Sequence, residues 1–321
     1  MNVEGLHIAP MTLSTTRRFD PTHTTVLRNV FAAGMNQRFN ELIAVIKKTV
    51  LDQDCFGMQL HTLQMIVPPY QAFAFTLAKD KVTAFMKWVQ EQVDRGILDV
   101  RQMEQIGASV DASWMNKYLF DSYKRGVMRA RMELRNAGFD VPTIEQTGGV
   151  AISMSTPVHL DRLGLIYIRA YNELKGVTDV MGTQLSRILA QGLADGDGPR
   201  LIAKKLVSTI NGSGIGELGI TDTLGRFIPA KRRAELIART EIIRAHHMAT
   251  IQEYRNWRLA GVTVQAEWLT AGDDRVCERC ASLQGRIFTL DEIEGMIPVH
   301  PGCRCIALPH RGEQETIKIN K

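Results

Sequence analysis

The amino-acid sequence predicts an α+β fold, mostly α-helical, with a small C-terminal antiparallel β end that is zinc-ribbon-like. Three observations carry this reading. Apolar residues recur at spacings of three and four through most of the chain up to Gly261, the period of helices with one buried face. After Gly261 the period falls to two, as in a half-buried strand. Four of the five cysteines then fall within the 29 residues from Cys277 to Cys305.

Bulk properties narrow the class. At roughly 150 residues per domain, 321 residues make about two domains. A hydrophobic content of 45% supports a sizeable core and excludes global disorder. No apolar run approaches the roughly 18 residues that span a bilayer, so no membrane partner is expected. Met1–Gly5 do not start a basic-then-apolar export signal. Lys and Arg number 39 against 34 Asp and Glu, a net charge of +5 that permits an acidic partner without demanding one.

The elements follow in order. The first ~20 residues lack periodicity and read as an arm. Phe31, Met35, Phe39, Leu42, Ile46 and Val50 mark a first helix. Val67-Pro68-Pro69 stops any helix there. Val82, Phe85, Met86, Val89 and Val93 mark a second, with Gly96 suited to a left-handed cap. A third runs from Asp111 to about Ala137, with Trp114, Met115, Leu119 and Met128 among its apolar positions, and ends at Gly138. The Pro- and Gly-containing segment Asp140–Thr156 is the predicted domain boundary, dividing an N-terminal helical domain (1–150) from a C-terminal domain (151–321).

Helices resume at Pro157, which follows the cap residues Ser155 and Thr156. Leu160, Leu163, Ile166, Tyr167, Ala170 and Leu174 share a face. Gly176 is expected to separate that helix from the next, which carries Val180, Met181, Leu185, Ile188 and Leu189. Asp195–Pro199 is a turn, and Leu201, Ile202, Leu206 and Ile210 mark the short helix after it. Asn211–Gly219 reads as a flexible loop. Pro229 opens a long helix, with Leu236, Ile237, Ile242, Ala245, Met248 and Ala249 inward. Val262, Val264, Ala266 and Trp268 then alternate with Thr263, Gln265 and Glu267. Ile287-Phe288 and Ile306–Leu308 are further strands, and the tail from His310 is polar.

Two tight pairs carry the chemistry. Cys277-Glu278-Arg279-Cys280 is C-x2-C, and His300-Pro301-Gly302-Cys303 is H-x2-C, nineteen residues further on. Such turns aim backbone amides at the sulfurs, and Pro301 and Gly302 supply a fixed φ and a flexible corner. Brought together by a small sheet, Cys277, Cys280, His300 and Cys303 make the tetrahedral donor set that Zn²⁺ accepts. Cys305 is the alternative fourth ligand, and unligated core thiols are the plain alternative to any metal. Four protein ligands leave no open position for water, so the predicted site is structural. Arg304, between two cysteines, is placed to fork onto Asp273 or Asp274.

The run Trp268–Gly285, with Asp273-Asp274-Arg275 ahead of Cys277, and the run His300–Cys305 together resemble the C-terminal signature of the phage Mu F family of head morphogenesis (minor head) proteins. Ile237–Glu241, with Ala245 and Ala249, is similar to the helix preceding that signature. The resemblance covers roughly residues 160–309. The family often has Asp where this chain has Gln284. The resemblance implies a tailed-phage virion component in few copies at the portal vertex or capsid interior, acting in head assembly, and made in the host cytoplasm. It implies the portal protein and the major capsid protein as partners; the 1–150 region, which carries no such signature, is read as a docking domain. Some members associate with packaged double-stranded DNA.

Other signals are weaker. Tyr123–Arg135 holds five positive side chains that could track phosphates, against the plainer reading of a solvated basic face. Lys231-Arg232-Arg233 opposes the helix dipole at a helix start. His246-His247 lacks the carboxylate of a zincin motif and reads as packing or surface. No Walker or dinucleotide fingerprint is present, and no small-molecule substrate or catalytic residue is expected. A metal-dependent nuclease would need an open metal position and a general base. A zinc-ribbon DNA-binding regulator would need salt-dependent, sequence-selective binding. The reading is therefore a structural, non-enzymatic protein.

Overall fold

The computed structural model describes residues 20–58, 77–99, 113–212, 228–259 and 264–311. The predicted N-terminal arm, the Val67-Pro68-Pro69 stop and most of the 211–219 loop lie outside these residues. So do the start of the third predicted helix and Val262-Thr263.

Helix α1 (Thr25–Lys47) buries Phe31, Met35, Phe39, Leu42 and Ile46, and a π turn (Lys48–Asp52) extends it to bury Val50. Helix α2 (Ala78–Val93) buries Phe85, Val89 and Val93. Its following π turn ends on Asp99, not Gly96, as the left-handed residue, with φ +58°. Gly96 instead gives its carbonyl to Arg38 Nη1 at 2.5 Å. Helix α3 (Asn116–Asn136) buries Leu119, Tyr123, Val127, Ala130 and Leu134. Met128, an apolar position of this helix, points to solvent because it sits one residue off that stripe.

The 140–156 connection holds a short 3₁₀ turn (Glu145–Thr147) and the one-turn helix α4 (Val150–Met154). Helix α5 then runs unbroken over Pro157–Ala194. The expected break at Gly176 is absent. A mid-helix glycine costs about 1 kcal/mol against alanine, and buried Leu174, Val177 and Met181 hold the helix through it. Helix α6 (Pro199–Asn211) ends on Gly212, with φ +86°. Leu160 and Leu201, apolar positions at helical spacing, are exposed on α5 and α6.

Helix α7 (Ala230–Leu259) is the axis of the molecule and packs on α1, α3, α5 and α6. At its tightest crossing, a Cβ on Gly126 of α3 would overlap the carbonyl oxygen of His246 on α7. Beside it, Ser122 Oγ donates to Ile242 O at 2.6 Å. One apolar core joins Phe31, Phe85 and Tyr123 on one side of the 140–156 connection with Leu163, Leu185 and Ala249 on the other. A buried polar knot ties α3, α5 and α7 together. Arg131 Nε donates to Glu253 Oε1 at 2.6 Å, and Tyr123 meets His159 Nδ1 at 2.7 Å. His246 and His247, buried on α7, belong to packing, and His247 Nε2 lies 3.0 Å from Ile293 O.

The C-terminal end is a three-stranded antiparallel sheet in the order β2-β1-β3. Strand β1 (Val264–Leu269) turns Val264, Ala266 and Trp268 inward, as the alternation predicts. It pairs with β2 (Ile287–Phe288) through Ala266 opposite Phe288, and with β3 (Ile306–Arg311) through Trp268 opposite Ala307. His310 and Arg311, expected in a tail, extend β3 opposite Gln265 and Val264. The sheet packs on Ile251 and Tyr254 of α7 and on Leu134 of α3, in a second core that also holds Cys280, Cys303 and Cys305.

Candidate metal centre

The centre is built on two turns that the sheet brings together. The first follows β1. Thr270 donates from its backbone N–H and its hydroxyl to Gln284 Oε1, at 2.7 and 2.6 Å, closing the loop that carries Cys277 and Cys280. A carboxylate oxygen at position 284 could accept the same two bonds, so glutamine keeps the loop closed where the resembling family often has aspartate. Helix α8 (Glu278–Ala281) then begins on Cys277, whose Sγ accepts from the Cys280 backbone N–H at 3.4 Å. This is the amide-to-sulfur geometry that favours a thiolate.

The second turn comes after helix α9 (Leu290–Ile293), which opens with a capping box between Thr289 and Glu292. His300 and Cys303 close it, with Cys303 N–H donating to His300 O at 3.1 Å and Gly302 at φ +77°. A residue with a Cβ is strained at that φ.

Donor atoms converge on Cys280. His300 Nε2 lies 3.4 Å from Cys277 Sγ and 3.3 Å from Cys280 Sγ. On a tetrahedral zinc, a nitrogen and a sulfur ligand stand about 3.5 Å apart. His300 Nδ1 faces Pro301 O at 3.0 Å, which calls for its proton there and leaves the Nε2 lone pair toward the sulfurs. Cys280, Cys303 and Cys305 form a second triad, with all donor atoms in each triad within 4.8 Å of one another. All five predicted donors therefore gather around Cys280, with Cys277 toward solvent and Cys280, Cys303 and Cys305 buried. The hydrogen bond from Cys305 draws the Cys303 thiol down to about 5, and the same bond pushes Cys305 up. Thiolate character thus concentrates on Cys303. Three or four soft donors of this kind fit a zinc ion.

The surroundings hold the two turns in register. Arg304 forks onto Asp273, Nη1 to Oδ2 at 2.7 Å and Nη2 to Oδ1 at 2.5 Å. Arg275 adds a third bond, Nη2 to Oδ2 at 2.9 Å. With Arg304 as the first cause, the Asp273 carboxyl sits far below the usual carboxylate range. A second clamp, which the sequence reading missed, fixes the metal end to the helices. Glu294 accepts from Arg162 of α5 and Arg255 of α7, both at 2.6 Å. These partners lie some 40 and 130 positions away in sequence, so no local pattern signals them. Tyr254 Oη adds bonds to Glu133 Oε2 at 3.0 Å and Ala307 O at 3.3 Å.

No helix among the described residues is long and apolar enough to cross a membrane. Residues 183–308 match the family model described as Phage Mu protein F like protein. The match runs from the second half of α5 through both cysteine turns to β3, and it supports the resemblance drawn from those turns. No curated protein and no solved structure matches the chain.

Proposed function

We propose, on the premise of a Mu F-like region over residues 183–308, that this protein is a structural minor head protein of a tailed phage. It acts in capsid assembly at the portal vertex, with the portal protein and the major capsid protein as partners, and resides in the virion. The observation that carries the reading is the family match over the long helix, the sheet and the two turns in that order. Residues 1–182 lie outside the match, and in this reading the 1–150 region docks the protein.

The metal end serves this role as a fastener. Cys277, Cys280, His300 and Cys303 would hold one structural Zn²⁺, with Cys305 as the alternative fourth ligand. The ion's contribution would be to folding, with apparent values of ~10 kcal/mol or more in small zinc domains. In this reading the site is closed, since four protein ligands would leave no open coordination position for hydrolytic chemistry.

The test is particle incorporation. Cys277→Ser is expected to lose zinc, loosen the C-terminal end, keep most helical circular dichroism and drop out of purified heads. A variant that lost zinc yet entered heads normally would overturn the structural role. His300→Ala should release zinc by elemental analysis while Cys305→Ala should not, and the reverse would move the fourth ligand to Cys305.

A further inference from the structure

The basic segment Tyr123–Arg135 could track phosphates on its sequence alone, against the plainer reading of a solvated basic face. In the fold most of its cations are already engaged. Arg131 is buried against Glu253, Arg129 bonds Glu133 and the carbonyl of Pro21, and Arg135 donates to Val141 O at 2.8 Å. Lys124 and Arg125 have no ion-pair partner among the described residues.

Between these cations α3 presents apolar surface. Met128 and Met132 are 46% and 54% exposed. With Phe120 and Lys124 they form one i, i+4 row along the helix. The row is one wall of a groove. The chain over 143–160 is the other wall, through Ile144 and the exposed Leu160. Two separate depressions of about 260 and 230 Å³ lie along it, the first at Phe120, Lys124 and Leu160 and the second at Met128, Met132 and Ile144. From Phe120 to Met132 the wall runs about 18 Å, roughly three helical turns. Among the side chains lining the depressions Glu145 stands against Lys124 and Arg135, since Arg131 is neutralised by Glu253, and Arg125 follows Lys124 on the helix.

We propose that this groove takes an amphipathic helical segment of a protein partner, apolar toward the methionines and acidic beside them. Unbranched methionine side chains adapt to an incoming apolar face, and a groove of this length suits a helix laid into it. Lys124 and Arg125, without ion-pair partners among the described residues, select an acidic neighbour. A duplex would need cations where the methionines stand. The inference goes beyond the assembly role and stands on the groove's own geometry, since it lies outside the matched region.

The experiment is fluorescence anisotropy on the full chain with three labelled probes. One is a peptide of about 14 residues, four helical turns, with Leu at every third and fourth position and Glu elsewhere. The second has Lys for Glu, and the third is a DNA duplex. Two variants are compared with the native chain: Met128→Ser with Met132→Ser, and Lys124→Glu with Arg125→Glu. All four side chains reach solvent, so unchanged thermal melting verifies the fold of each variant. The Glu peptide should bind, about tenfold or more tighter than the Lys peptide, and each variant should weaken it about tenfold. The proposal falls if the Glu peptide does not bind, if the two peptides bind alike, or if the methionine variant binds as the native chain does. It also falls if the variants lose DNA binding instead, or if they convert a dimer to a monomer, which would make the groove a self-interface.

Discussion

Arg304 is a residue that a search for ligands passes over, yet its guanidinium joins the turn of His300 and Cys303 to the loop that leads into Cys277. Outer partners of this kind orient ligands, and their loss typically lowers metal affinity about 10–100-fold. Arg304→Ala is therefore expected to weaken zinc binding by about that range, read by competition with a chromogenic chelator, while the metal still binds. An unchanged affinity would reduce the clamp to surface decoration. At this scale the sequence shows the donors clearly, because C-x2-C and H-x2-C are local patterns. It also shows that Arg304 can reach an aspartate, and the fold selects Asp273 over Asp274. It does not show that Cys305 hydrogen-bonds Cys303, since that depends on how the chain bends between β3 and the turn.

Helices α3 and α7 meet backbone to backbone at Gly126, so the element scale carries its own prediction. Gly126→Ala should gain about 1 kcal/mol in helix propensity. It should nevertheless destabilise the protein by about 1–3 kcal/mol net, because the new methyl can be admitted only by separating the helices. Urea denaturation measures the change, and a stabilised variant would contradict the close approach of Gly126 to His246 O. Nothing local marks Gly126 as special. It reads as a weak spot in a basic helix, and its reason lies on α7, 120 residues on. The same distinction explains what was legible among the elements. Stripes such as Phe31–Met35–Phe39 and the alternation through Trp268 are properties of a few consecutive residues, and they appear where expected. Gly176 failed as a helix stop, since the packing of Leu174, Val177 and Met181 decides its conformation. Leu160 and Met128 are exposed apolar positions, and hydrophobicity alone does not say which apolar residue of a helix faces out.

For the whole molecule, a core shared across 140–156 governs what a nick there does. Glu145, Gln146, Gly148 and Ala151 are exposed, so limited proteolysis should cut first in this connection. The two fragments should then elute together in gel filtration, held by the packing of α3 and α1 on α7. Separation of the fragments would contradict that core. Acid probes the same packing. Burial is the main cause that lowers His246 to about 3 and His247 to about 4, from the ordinary 6.5. Their neutral forms contribute stability that is fully present above pH 6.5, the unfolded value, and is lost as pH falls toward 4 and 3. The slope approaches about 1.4 kcal/mol per pH unit for each histidine. His246→Leu should flatten the fall in helical melting temperature over this window, and an unaltered slope would assign acid sensitivity to other groups. One further consequence concerns mechanics. Helix α5 is a single rod of about 57 Å at 1.5 Å per residue. Arg162, on its second turn, grips Glu294 beside the metal end, and its far end seats α6 through the close approach of Gly192 to Ile202. A load applied at Ala194 therefore travels along a stiff strut and arrives at the cysteine turns as displacement, with no intervening joint to absorb it.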